Sequence, residues 1–268
     1  MTSRPSGIHV ESTGEGTPVL LLHSGGMSSR QFKKLAVELA EASFRAVAID
    51  LAGHGLAHEV REPTPLSLYD DVDDVVGLLE ELGSAHIVGH SYGGLVGLFA
   101  AVRVPANVRS IAVFEPVAFG ALDREAYRDA WASLAAVDVP WGDDAAGHDD
   151  WLRAFVDYWN RPGAWNLQKE EMRAEFRRVG WAVYSEVRSL MLDRTPPAAY
   201  AKLTMPVTLL TGEQSPVAAR TVVKVLGETI PNAKVFTIEG AGHMAPLVQR
   251  AQVNAIFLRT VTDAEASP

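Results

Sequence analysis

Leu68, Val72, Val75, Val76, Leu79 and Leu82 fall at the i, i+4, i+7, i+8 spacing that gathers apolar side chains on one face of an α-helix. Ser67 is placed to cap that helix, with Asp70 three residues on as a capping-box partner. Gly83 ends it. Elsewhere the apolar runs are shorter. Val19-Leu20-Leu21-Leu22 is continuous, as expected of a strand covered on both faces. Read this way, the chain predicts strands over 8–12, 18–23, 44–51, 85–89, 109–114, 206–211 and 234–238. It predicts helices over 31–42, 68–82, 92–104, 217–230 and 246–261. Strands alternating with helices through short turns imply an α/β fold, a doubly wound and mostly parallel sheet flanked by helices.

The alternation breaks between about Phe119 and Tyr200. That stretch holds no convincing strand, several helix-like runs and all six tryptophans: Trp131, Trp141, Trp151, Trp159, Trp165 and Trp181. The expected organisation is a core of residues 1–118 and 201–268, with a helical cap of 119–200 over the carboxyl ends of the strands. The polar tail Thr262–Pro268 is expected to fray.

The 268 residues are enough for one unit of this class to bury roughly 70–75% of its unfolded surface. There is no cysteine, so disulfides and thiolate metal sites are excluded. The net charge of −9 argues against a nucleic-acid partner, which needs a basic footprint. Met1–Val10 has no apolar run like a signal peptide. The longest apolar-rich runs, such as Gly93–Val102, fall short of the roughly 18–20 residues that span a bilayer. The chain reads as soluble and cytoplasmic, with a small-molecule substrate as partner and a homodimer left open.

The chemistry gathers at Gly89-His90-Ser91-Tyr92-Gly93. A strand precedes it and a helix follows, the context that gives a Gly-x-Ser-x-Gly sequence its meaning as a nucleophile elbow. A serine in so sharp a turn needs small neighbours, and the helix behind it aims N–H groups and a positive dipole end at the same spot. Three further segments occur in order: Leu21-Leu22-His23-Ser24-Gly25-Gly26, Asp50-Leu51-Ala52-Gly53-His54-Gly55, and Gly240-Ala241-Gly242-His243. With the elbow, they make the chain resemble the α/β-hydrolase superfamily over nearly its whole length.

That resemblance implies Ser91 as nucleophile, His243 as general base, and an oxyanion hole built from the backbone N–H groups of Tyr92 and Gly25. The family usually has glycine where this chain has Ser24. The other histidines have plainer readings. His23 is expected to orient its loop, His90 is the variable position of the elbow, and His54 and His58 lack the helix and glutamate of a zinc motif.

The triad acid is the sharpest departure. The family's usual aspartate position, in Thr211-Gly212-Glu213-Gln214-Ser215, holds Ser215. Glu213 sits two residues early. Glu115 ends the apolar strand Ile111-Ala112-Val113-Phe114, where a carboxylate is unstable without a partner. Some members of the superfamily, certain haloalkane dehalogenases among them, carry the acid at that strand end. Glu115 is therefore the expected triad acid, with Glu213 as the alternative.

A serine nucleophile favours acyl transfer, so the first reading is hydrolysis of a small apolar or aromatic carboxylic ester or lactone through an acyl-enzyme. Carbon–carbon bond hydrolysis of ring-cleavage products shares the same residues. A cofactor-free haloperoxidase-like side activity and a non-catalytic small-molecule binder are further readings. No motif implies a metal or an organic cofactor.

Overall fold

The apolar runs assemble into a seven-stranded sheet in this computed structural model, which describes residues 7–266. The strands are β1 (His9–Thr13), β2 (Thr17–Leu22), β3 (Phe44–Asp50), β4 (Ala85–His90), β5 (Val108–Phe114), β6 (Val207–Gly212) and β7 (Ala233–Ile238). Their order across the sheet is β1-β3-β2-β4-β5-β6-β7. β1 pairs antiparallel with β3, and every other pairing is parallel.

Successive side chains of the inner strands feed two separate cores. Leu20, Leu22, Ile87, Ile111 and Val113 face one, and Val19, Leu21, Val88, Ala112 and Phe114 the other. This is the period-2 alternation of a strand applied to positions that are all apolar. Each fully buried aliphatic side chain contributes roughly 1.5–3 kcal/mol.

The helices α1 (Lys33–Glu41), α2 (Leu68–Leu82) and α3 (Ser91–Arg103) connect the first strands. Leu68, Val72, Val75 and Leu79 of α2 are buried, and the Ser67 hydroxyl accepts the Tyr69 N–H at 3.3 Å. From β5 to β6 the described chain forms no strand. It forms α4 (Arg128–Leu134), α5 (Ala145–Trp159), α6 (Ala164–Leu167) and α7 (Glu170–Leu192). Trp141, Trp151, Trp181 and Tyr184 pack together there, with ring centroids 5.3 to 5.8 Å apart. Beyond β6 come α8 (Val217–Thr229), α9 (Ala245–Val248) and α10 (Arg250–Glu265).

Three expectations need correction. The helix expected from Gln31 begins with a 3-10 turn, Ser29–Phe32, before α1. The single helix expected over 246–261 is two, broken at Gln249, whose ψ of 34° is not helical. The tail does not fray at Thr262, because α10 runs to Glu265. The Glu265 carboxylate binds His86 Nε2 at 3.0 Å and Arg109 Nη1 at 2.9 Å, tying the helix end to β4 and β5. Residues 1–6 and 267–268, at the ends of the expected core unit, lie outside the described residues. Among the described residues, no helix is long and apolar enough to cross a membrane.

Candidate active site

β4 turns into α3 within one residue. Ser91 is the first residue of α3, with φ of 54°, a conformation that side chains other than glycine rarely adopt. The turn is closed tightly against β2. A Cβ on Gly93 would stand 2.3 Å from the His23 carbonyl oxygen, and one on Gly89 would stand 2.7 Å from Gly94 Cα. Only glycine fits at either place.

The loop after β7 brings His243 to this turn from 152 residues away. His243 Nε2 lies 3.0 Å from Ser91 Oγ, and Nδ1 lies 2.6 Å from Glu115 Oε2. Glu115 follows β5 directly, is fully buried and has φ of 44°. Its Oε1 accepts the Thr211 hydroxyl at 2.6 Å and the Gly212 N–H at 2.8 Å, both from the end of β6. Burial works against its charge, but hydrogen bonding and attraction from His243, with help from Ser215 and Thr211, hold its carboxyl below the usual glutamate value. The Ser215 hydroxyl faces the same carboxylate without making a well-formed hydrogen bond. With Glu115 accepting at Nδ1, the His243 tautomer leaves Nε2 free to accept the Ser91 proton. Glu213 is not brought to this cluster. Its side chain is exposed, and Oε2 accepts the Gly240 N–H at 2.9 Å.

The backbone around Ser24 sorts its donors. Ser24 N–H donates to Gln31 Oε1 at 3.1 Å, Gly26 N–H to His54 Nε2 at 3.0 Å, and Gly93 N–H to the His23 oxygen at 3.1 Å. The N–H groups of Gly25 and Tyr92 have no partner among the described residues. Ser91, Gly25 and Tyr92 all line the same cavity.

Two features escape a reading of the sequence. Gln31 bridges the two loops. Its Oε1 accepts from Ser24 N–H and Ser24 Oγ, and its Nε2 donates to His90 Nδ1 at 3.1 Å. His90 Nε2 in turn donates to the His243 carbonyl at 2.9 Å. Burial, then the nearby His243, keep His90 well below the ordinary histidine value, so it is a fixed neutral bridge. This also accounts for Ser24, since its hydroxyl is a second ligand of the bridge at 3.2 Å. In the sequence His90 is only the variable position of the elbow, and its burial is not legible there. His23 orients its loop, donating from Nδ1 to Ser24 O at 2.8 Å and accepting Leu51 N–H at 2.9 Å.

The second feature is Glu186 of α7, in the pocket wall beside Gly25. His54 Nδ1 lies 3.6 Å from Glu186 Oε1, but this is not an ion pair. Burial pushes His54 down to about 3, so it is neutral near pH 7, and burial pushes Glu186 well above the usual carboxylate range, which favours its protonated form.

The cavity above Ser91 encloses about 620 Å³ of space, part of it open to solvent. Its walls are mainly apolar, with Phe119, Phe155, Trp159, Phe176, Leu190 and Met191 prominent. Of the six tryptophans, Trp159 alone lines it, its ring tilted over His243 with centroids 4.0 Å apart. No lysine or arginine lines it, and among the described residues no cluster of His, Asp or Glu could hold a metal ion.

The sequence model described as the Alpha/beta hydrolase family matches residues 19–256. A 2-(acetamidomethylene)succinate hydrolase of Mesorhizobium japonicum is 27% identical over 251 residues, covering 88% of this chain and 84% of that one. An esterase from Exiguobacterium antarcticum superposes with a TM-score of 0.74 at 18% identity, covering 95% of each chain. A meta-cleavage product hydrolase from Pseudomonas fluorescens IP01 superposes with a TM-score of 0.72 at 20% identity, covering 96% of this chain and 94% of that one. At such identities the two structures speak for the fold.

Proposed function

This chain belongs to the alpha/beta hydrolase family, and from that premise we propose that it hydrolyses a small, uncharged carboxylic ester or lactone through an acyl-enzyme on Ser91. The observation that carries the reading is the hydrogen-bonded series Ser91–His243–Glu115 at the floor of an apolar cavity, beside two N–H groups without partners.

His243 Nε2 takes the Ser91 proton as Oγ attacks the carbonyl carbon. Negative charge develops on the carbonyl oxygen and is met by the N–H groups of Gly25 and Tyr92, each donor worth roughly 3–4 kcal/mol in the transition state. The Glu115 carboxylate holds the ring and stabilises the imidazolium. The imidazolium then protonates the leaving alkoxide. Water, deprotonated by His243, attacks the acyl-enzyme and frees the acid. Trp159 covers the other face of the ring and limits the approach of bulk water.

The walls support an uncharged substrate. A succinate brings two carboxylates, and a cavity without lysine or arginine offers them no counter-charge. We therefore place this chain's substrate apart from that of the Mesorhizobium relative. Carbon–carbon bond hydrolysis uses the same serine and histidine, and it is the reading that survives if esters fail. The test is turnover of p-nitrophenyl esters, acetate through decanoate, by wild type and Ser91→Ala, with fluorophosphonate labelling of both. Turnover and labelling lost together in Ser91→Ala support the ester reading. Labelling of wild type without ester turnover transfers it to the carbon–carbon reaction. Neither labelling nor turnover leaves a binder of the same fold.

A further inference from the structure

One polar group in the cavity wall has no task in the reaction just described. Glu186 is almost fully buried on α7, yet its Oε1 has no hydrogen-bond partner. Its Oε2 would stand 2.6 Å from a Cβ on Gly25, so the carboxyl group sits directly against the oxyanion loop. The surrounding walls, Phe176, Val187, Leu190 and Met191 among them, offer it nothing to bond. His54 cannot serve, because its Nδ1–H is given to the Ala52 carbonyl at 3.1 Å and its Nε2 accepts from Gly26. A buried polar group left unpaired costs stability that an apolar side chain of the same shape would not.

We propose that Glu186 is a specificity residue of this pocket, binding a neutral oxygen (ether, ketone or hydroxyl) that the substrate carries a few atoms from the carbonyl attacked by Ser91. The inference rests on the proposed ester chemistry for the identity of that carbonyl. The substrate class is then an uncharged acyl compound with a second oxygen function in its acyl part. Burial first, and then nearby Asp71, push the Glu186 carboxyl towards its protonated form, whose O–H can donate to that oxygen. A protonated acid presents one donor, which an ether or carbonyl oxygen satisfies and a methylene does not. A site built to hydrogen-bond a ligand rejects the analogue lacking the group, because the site's own polar atom is then stranded.

The experiment is a binding titration that needs no turnover. Wild type, Glu186→Gln and Glu186→Leu are titrated with 4-methoxybutan-2-one and with 2-hexanone, neutral ketones of equal length that differ by one oxygen. Trp159 in the wall reports occupancy by its fluorescence. The ratio of the two dissociation constants is expected to shift about tenfold towards 2-hexanone in Glu186→Leu and to stay near the wild-type ratio in Glu186→Gln, which keeps a donor. A ratio unchanged in Glu186→Leu overturns the proposal. So does tighter binding of the anion 4-oxopentanoate than of either ketone by wild type. Loss of ester turnover with the ketone preference intact would strike the ester reading and leave the subsite standing. Glu186→Leu removes a buried unpaired acid, so its melting temperature is expected to rise, which confirms that the variant is folded.

Discussion

A fully buried glutamate is expensive to keep charged, and Glu115 stays charged because donors converge on it from His243, Thr211 and Gly212. Replacing it with glutamine keeps the shape and removes the charge that fixes the ring. Glu115→Gln is expected to lower kcat by on the order of 10³- to 10⁴-fold in steady-state ester hydrolysis. Glu213→Gln serves as the control and is expected to stay within about twofold, since an exposed side chain away from His243 has only a loop N–H to lose. The sequence exposed Glu115 because an acid closing the apolar run Ile111–Phe114 has to find a partner. It could not expose Glu186. Glu170, Glu171 and Glu175 lie on the same helix, and only the fold distinguishes the one that turns inward.

At the scale of elements, the site depends on two loops keeping step. The loop after β2 holds the candidate oxyanion donor, the loop after β7 holds His243, and Gln31 with His90 joins them. Gln31→Ala breaks the bridge without touching a reacting atom. It is expected to lower kcat roughly tenfold to a hundredfold with KM within about threefold, and to leave the pH profile of kcat/KM in place, as misplacement rather than lost chemistry would. The inner strands were legible from their apolar runs, such as Val19–Leu22 and Ile111–Phe114, which have few alternatives at this length. Boundaries were less so. α3 starts at Ser91 rather than Tyr92, although Ser91 itself has φ of 54°, a conformation no apolar spacing can signal. The break at Gln249 left no trace in the apolar spacing. The cap tryptophans were legible as a cluster, but which of them meets the cavity depends on how α5 lies over His243.

Over the whole molecule, buried titratable groups set how stability depends on pH. His23, His54, His86 and His90 are all buried and shifted below the ordinary value of 6.5, first by desolvation. Unfolding lets them take up protons, so stability is lost as pH falls from 6.5 towards about 3, the value for His54. Asp71 acts in the opposite sense. Burial raises it from 3.8 to about 7, so the folded state holds its proton longer and stability is lost as pH rises across that window. Between pH 3.8 and 6.5 the buried histidines and Asp71 therefore pull stability in opposite directions. Melting curves from pH 4 to 8 are expected to show Asp71→Asn gaining on wild type as pH rises from 4 to about 7, and running parallel to it above that. The distance along the chain between the site's parts has a consequence for synthesis. Ser91 and Glu115 meet His243 only across 152 and 128 residues. A ribosome that has made the elbow and most of the sheet has therefore made no working base. On the proposed reading, the emerging chain stays chemically mute until the segment that carries His243 has been released and folded home.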